Sequence, residues 1–213
     1  EKIFKNIWIQ PAAGDAGGAL GAALYAWHMF LGNKRKSDGL DSMKGSYLGP
    51  RFEKESISNE LQKLSAKFQI LDKSKILDKV TDDLKSGKAV GWFQGRMEFG
   101  PRALGSRSIL GDPRSDQMQK DLNLKVKFRE SFRPFAPSIL YEDLNEWFDF
   151  ESPSPYMLFV SNIKKKHQIE MSEEEKNLFG IKKLNIKRSI IPAVTHVDYS
   201  ARIKTVHKEK NPI

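Results

Sequence analysis

Between Gln94 and Pro137 stand six arginines and three lysines against five carboxylates. Arg96, Arg102 and Arg107 are spaced six and five residues apart, with Gly95, Gly100 and Gly105 among them. A guanidinium is a planar fork of donors that matches phosphate or carboxylate oxygens two at a time. Glycines at these spacings let the chain turn so that several forks converge on one anion. Lys127, Arg129 and Arg133 repeat the pattern, with Glu130 beside them to orient an arginine or a ribose hydroxyl. The chemistry expected is polyanion binding in one pocket. No Gly-x-x-x-x-Gly-Lys-Ser/Thr loop is present, so this is not a Walker motif. The competing expectation is that some arginines pair with Glu98, Asp112 and Glu130 and simply fasten loops.

A second polar cluster, His196, Asp198 and Arg202, lies near the C-terminus. The four histidines have no metal-ligand spacing such as His-Glu-x-x-His, and the chain has no cysteine. Disulfides, thiolate metal sites and cysteine nucleophiles are therefore excluded, and no Gly-x-Ser-x-Gly elbow supplies a serine nucleophile. Asp15 sits in the turn Pro11-Ala-Ala-Gly-Asp-Ala-Gly-Gly18, placed either to cap the following helix or to reach a metal or ligand.

The elements that must position these residues read as mixed α/β or α+β. Asn6–Gln10 predicts a short buried strand, followed by the glycine turn and a helix over 19–31. Polar residues 32–39 predict a linker. Helices are expected over 56–67 and 74–85, the second closed by Gly87, with a short strand at 68–71. Strands are expected over 88–94 and 106–110, on either side of the first arginine loop, and a helix over 115–123 precedes the second. Residues 133–140 read as an edge strand, because Pro134 and Pro137 cannot donate to a ladder. A short helix over 141–148 and a buried strand over 155–160 follow. The lysine- and glutamate-rich stretch 163–187 reads as a surface excursion, with a helix opening near Ser172. The chain from Ile190 to Val206 reads as strand, turn and strand.

At 213 residues, with 39% hydrophobic and 30% charged residues, the chain suits one good core, or one domain and part of another. Mean hydropathy is −0.54 and the isoelectric point about 9.5. A net charge of +9 favours anionic partners. No apolar run approaches the roughly 20 residues of a membrane span, so no membrane role is expected. The absence of cysteine is compatible with a cytoplasmic location. The chain opens without methionine and reads as a fragment. Nucleic acid is the rival ligand, since Trp92, Phe93, Phe99, Phe128, Phe132 and Phe135 interleave with the basic residues and could stack bases. Core packing is the better reading of those aromatics.

Three motifs carry a resemblance. They are Gly95-Arg-Met-Glu-Phe-Gly-Pro-Arg-Ala-Leu-Gly-Ser-Arg-Ser-Ile-Leu110, Lys127-Phe-Arg-Glu-Ser-Phe-Arg-Pro-Phe-Ala-Pro137 and Pro192-Ala-Val-Thr-His-Val-Asp198. They resemble the C-terminal region of the O-carbamoyltransferases of the NodU/CmcH type, and Gln10–Ala23 is similar to the end of the preceding domain. The resemblance covers nearly the whole chain and is weakest from 164 to 187. It implies a YrdC-like domain over 47–213, a twisted mixed sheet with flanking helices. Residues 1–37 would be the last strand and helix of a Kae1-like domain of the actin-like ATPase superfamily, joined by a linker over 38–46.

The resemblance further implies that ATP and carbamoyl phosphate combine to carbamoyl adenylate with Mg²⁺. The Kae1-like domain of the same protein would then pass the carbamoyl group to the hydroxyl of a small molecule or glycan. Lys127, Arg129 and Arg133 would be catalytic. Arg96, Glu98, Arg102, Arg107, Ser108, Glu130, His196, Asp198 and Arg202 would line the phosphate and nucleotide site. Asp15 matches a metal-binding aspartate, for a divalent metal such as iron, whose histidine partners lie outside this sequence. A homodimer is compatible with the family. Two alternatives stand beside this reading: a threonylcarbamoyl-adenylate type of synthase, and an RNA-binding module using the same basic face.

Overall fold

The computed structural model describes residues 3–5 and 7–207. It is a mixed α/β chain with two small sheets. In chain order the regular elements are helices α1 (Asp15–Tyr25), α2 (Lys54–Lys63) and α3 (Lys73–Lys85), strands β1 (Val90–Phe93) and β2 (Arg107–Leu110), and helix α4 (Met118–Asp121). There follow β3 (Ser138–Leu140), α5 (Leu144–Trp147), β4 (Phe159–Asn162), the one-turn helices α6 (Glu173–Lys176) and α7 (Ile181–Leu184), and β5 (Ser200–Val206). Strands β1 and β2 form a two-stranded sheet, and β5 lies between β3 and β4 in a three-stranded one. The chain divides into two compact units. One comprises Glu1–Gln69 and Trp92–Ser108, the other Ile70–Gly91 and Ile109–Ile213.

The first unit is built mainly from backbone. Its helix α1 runs on into a π-helical turn, Ala26–Phe30, and neither contains a buried residue. Trp27 and Phe30 are both exposed. Asn6 lies outside the described residues. The remainder of the expected first strand, 7–10, pairs with no strand among the described residues, and Ile7 and Trp8 are exposed, because a β-branched run becomes a strand only where a ladder partner is present. The expected strand at 68–71 fails for the same reason. What holds this unit together is residues 46–50 laid against the first arginine loop. Gly49 N–H donates to Met97 O at 2.9 Å, Met97 N–H to Pro50 O at 3.0 Å and Phe99 N–H to Ser46 O at 2.6 Å. Gly100 has φ +108°, and a Cβ there would stand 2.6 Å from the Ala12 Cβ, so only glycine fits that crossing.

The second unit has an apolar core. Leu144, Phe148, Ile163, Ile191, Val194, Ala201 and Ile203 are buried together, with Phe135, Ile139 and Trp147 packed against them. Strand β5 is its spine, parallel to β3 (Ser138↔Lys204) and antiparallel to β4 (Phe159↔Ile203). The edge strand expected over 133–140 shrinks to Ser138–Leu140, consistent with Pro134 and Pro137 lacking donors. The strand expected over 155–160 begins only at Phe159, since Met157 takes φ +55° and turns the chain. The strand expected from Ile190 is instead a 3₁₀ turn, Pro192–Val194, with proline at its first position, where a missing N–H costs nothing. Helix α4 continues into a π-helical turn, Leu122–Val126. Helix α6 opens with a capping box: Ser172 Oγ accepts from the Glu175 amide, and Glu175 accepts from the Ser172 amide.

Candidate functional site

The first arginine loop is organised around Glu98, which is 5% exposed. Its Oε1 accepts from the amides of Leu104 at 2.7 Å, Ser106 at 2.8 Å and Arg107 at 3.3 Å. Three backbone donors pointing at one spot make an anion nest, and here the protein's own carboxylate fills it. A ligand phosphate therefore cannot use those amides, and Glu98 acts on the chain rather than facing a ligand. Tyr47 hydroxyl donates to Leu104 O at 2.7 Å, and Ser108 Oγ accepts from the Gly105 amide at 3.0 Å. Arg107 is likewise spent on structure. Its guanidinium lies 3.4 Å over the Phe93 ring and donates to the carbonyls of Gln94 at 2.7 Å, Ser106 at 2.9 Å and Gly95 at 3.2 Å. Arg96 gives one hydrogen bond, to Gly49 O at 3.0 Å. Arg102 is exposed and has no hydrogen bond or ion pair with any described residue.

The second loop, in the other unit, is organised around Asn123, which is fully buried. Its amide nitrogen donates to Ser131 O at 3.1 Å and Arg133 O at 2.8 Å, and its oxygen accepts from Arg129 Nε at 2.6 Å. Arg129 also lies 5.1 Å over the Phe135 ring. Gln119 reaches Phe132 O at 2.8 Å. Arg133 pairs with Glu130 at 3.0 Å with both side chains half exposed, a weak contact that a stronger anion would displace. The Lys127 ammonium is exposed, with no partner among the described residues. Sequence reasoning missed Asn123 and Gln119. The signal for Asn123 was slight, an amide beside Leu122 at the end of an expected helix, and the structure buries both while leaving Leu124 exposed.

The second unit also holds a groove of about 710 Å³. The turn carrying His196 and Asp198 lines it, together with Ser131, Phe132 and Pro134 of the second loop. The far wall is Ile181, Leu184 and Ile186, so the surface excursion supplies part of a cavity. Lys120, Lys187 and Arg188 add positive charge, and Lys187 meets Asp116 at 2.9 Å. Arg188 is 3% exposed. It donates to the carbonyls of Ile186 at 2.9 Å and Lys183, and its Nε has no partner. Burial without a hydrogen-bonded carboxylate pushes its pKa down, as desolvation of an uncompensated charge must.

In the turn itself, Ser200 Oγ donates to Asp198 Oδ1 at 2.6 Å, and the Ser200 amide donates to the same oxygen at 3.1 Å. These bonds hold Asp198 below the usual carboxylate range. His196 Nδ1 lies 3.1 Å from Ser200 Oγ. Burial lowers the His196 pKa, Asp198 opposes that shift, and the Arg202 charge reinforces it. Arg202 is half-buried on β5, in register with Val160.

Asp15 is the first residue of α1 and is exposed. The helix is capped at Gly14 without a side-chain hydrogen bond, so the capping expectation is not met. Among the described residues no group of three or more His, Asp or Glu side chains is placed to hold a metal ion. The described residues do not by themselves form a divalent-metal site. Nor, among these residues, is any helix long and apolar enough to cross a membrane.

Comparison with known sequences places this geometry. The family described as "Carbamoyltransferase C-terminus" matches residues 81–213, which contain the first arginine loop, the second loop and the His196 turn. An uncharacterised protein of Synechocystis is 56% identical over all of this chain and 35% of its own length. Nodulation protein NolO of Bradyrhizobium diazoefficiens is 39% identical over 99% of this chain and 35% of its own. The 3′-hydroxymethylcephem-O-carbamoyltransferase of Amycolatopsis lactamdurans is 31% identical over 98% of this chain and 33% of its own. The chain thus spans about a third of the length of these relatives.

Proposed function

The chain belongs to the carbamoyltransferase C-terminus family, and from that premise we propose that it is the part of an O-carbamoyltransferase that binds carbamoyl phosphate and ATP and makes carbamoyl adenylate. In the reaction, water cleaves the phosphate from carbamoyl phosphate. The freed carbamate oxygen bonds to the α-phosphorus of ATP, and the bond from that phosphorus to the β-phosphate oxygen breaks to release pyrophosphate. The carbamoyl group then passes to a hydroxyl of a small molecule or glycan. In this reading residues 47–213 form a YrdC-like domain, and residues 1–37 belong with a Kae1-like domain that completes the transfer.

The observation that carries the reading is that the family match spans both arginine loops, in which the Arg102 guanidinium and the Lys127 ammonium make no hydrogen bond or ion pair with the described residues. Fixed cations with donors to spare stabilise charge developing on phosphoryl oxygens without reorganising. Arg96 and Arg102 serve the ATP phosphates. Lys127 and Arg133 serve carbamoyl phosphate, Arg133 releasing Glu130 as it binds. Arg107, Arg129, Glu98 and Asn123 hold the loops in shape. Mg²⁺ would neutralise the departing pyrophosphate when bound with ATP.

The test is pyrophosphate release from ATP by the full-length protein, with carbamoyl phosphate in one arm and bicarbonate plus threonine in the other. Release is expected only in the first. Release only in the second would assign a threonylcarbamoyl-adenylate synthase instead.

A further inference from the structure

The hydrogen bonds around His196 fix where its proton sits. A serine hydroxyl has one proton, and Ser200 Oγ gives it to Asp198 Oδ1 at 2.6 Å. Toward His196 Nδ1, 3.1 Å away, the same oxygen can only accept. Neutral His196 therefore carries its proton on Nδ1, and Nε2 bears a lone pair. The ring cannot drift from this state easily, because the turn is closed on both sides. The His196 amide donates to Ser200 O at 2.8 Å, and the Tyr199 amide donates to His196 O at 3.1 Å. Nε2 makes no hydrogen bond with any described residue, and His196 lines the groove.

The groove thus offers two unlike kinds of partner. Lys120, Lys187 and Arg188 offer positive charge. His196 Nε2 offers an acceptor. A ligand matching both has an anionic group and, apart from it, an N–H donor. Carbamoyl phosphate is such a molecule, and its methyl counterpart, acetyl phosphate, lacks the N–H. We propose that His196 is a specificity residue that accepts a hydrogen bond from the carbamoyl –NH₂, with Asp198 and Ser200 as the positioning residues that keep its Nε2 bare. This rests on the carbamoyl phosphate reading above and adds to it the basis on which carbamoyl is chosen over acyl phosphates. A site built around a half-buried acceptor disfavours an isostere that leaves the acceptor unpaired, and the discrimination from one such bond is about tenfold.

Protonation gives the proposal a pH dependence. Below its pKa His196 carries a second proton, Nε2 becomes a donor, and the preference for –NH₂ over –CH₃ disappears. Burial places that transition below the ordinary histidine value, so selectivity is intact at neutral pH and is lost in mild acid. The other charged groups facing the turn are Asp198 and Arg202 from its own segment, Asp116 and Lys120 from the α4 region, and Lys187 and Arg188 after α7.

The experiment is calorimetric titration of the full-length protein with phosphonoacetamide, acetonylphosphonate and inorganic phosphate. The two phosphonates differ in –NH₂ against –CH₃, and their own ionisation cancels in the ratio of affinities. The wild type is expected to favour phosphonoacetamide by about tenfold at pH 8, and His196→Phe to bind both alike. Long-range ¹H–¹⁵N spectra of the wild type should show the proton on Nδ1, and Ser200→Ala should mix the tautomers and shrink the preference. Equal affinities in the wild type, or a proton on Nε2, overturn the role given to His196 while leaving the carbamoyl phosphate reading intact. Binding of none of the three ligands overturns that reading, and this inference with it. If His196→Phe does not fold, the wild-type ratio and the tautomer still decide.

Discussion

The two cationic loops, residues 95–107 and 127–133, solve one problem with opposite chemistry. Each must crowd cations around a space without collapsing onto it, and each does so by burying a polar side chain that ties its backbone down. In the first loop the tie is Glu98, an acceptor that gathers three amides. In the second it is Asn123, a donor that gathers two carbonyls and steadies Arg129. The surroundings also differ. The first loop lies in a unit held by backbone hydrogen bonds with Leu104 its one buried large apolar side chain among the described residues, whereas the second borders an apolar core. A cationic loop with little apolar core behind it depends on its internal carboxylate. One packed on a core needs only a neutral amide.

This contrast can be broken in order of severity. Glu98→Ala leaves three amides without their acceptor and is expected to cost about 3 kcal/mol, read by chemical denaturation. Glu98→Gln keeps the shape and should lose about half of that. Asn123→Ala should cost less, about 2 kcal/mol, since the neighbouring core persists. A larger loss at Asn123 than at Glu98 would reverse the comparison. Arg107→Lys gives up the planar fork that reaches carbonyls on both sides and the stacking on Phe93, at about 1 kcal/mol. Arg102→Ala and Lys127→Ala should leave stability within about 0.5 kcal/mol of wild type. Both should nonetheless abolish carbamoyl-phosphate-dependent ATP–pyrophosphate exchange in the full-length protein. Normal exchange in both would remove them from the site.

Acid should sort the carboxylates from the histidine. Asp112, held low first by the Arg114 guanidinium, and Asp198, held low first by Ser200, have folded pKa values below their unfolded ones. Their stabilisation is present above the ordinary carboxylate range, near 4, and is lost as pH falls through the folded values. His196 is also lowered, by burial, so the unfolded chain takes up its proton first. Stability therefore begins to fall as pH drops through about 6.5 and levels off once the folded protein is protonated too. His196→Phe should erase the upper of these two transitions in a melting-temperature series and leave the lower.

Much of this was legible in the chain, and the gaps have physical causes. Helix α3 and the helix opening near Ser172 are local in origin, set by a 3.6-residue apolar stripe and by a run of helix-start residues, so sequence showed both; the capping box at Ser172 came from the structure. The strands expected at 6–10 and 68–71 depend on partners that no local pattern can supply. The strand expected from Ile190 failed on Pro192, a local signal that its apolar neighbours outweighed. The cations of the two loops were legible by type, but their division of labour was not. Arg107 and Arg102 look alike in sequence, yet one donates to four nearby carbonyls and the other to no described residue. Glu98 read as a partner for arginine and turned out to hold amides, because the turn that aims those amides exists only in the folded loop.

Strand β5 begins at Ser200, the residue bonded to both Asp198 and His196, and it is the one strand shared by β3 and β4. Whatever steadies that serine also restrains the first rung of the central ladder. Occupancy of the groove should thus be readable far from it, as slower amide hydrogen exchange along 159–162 and 200–206. The sheet becomes a built-in reporter of what His196 holds.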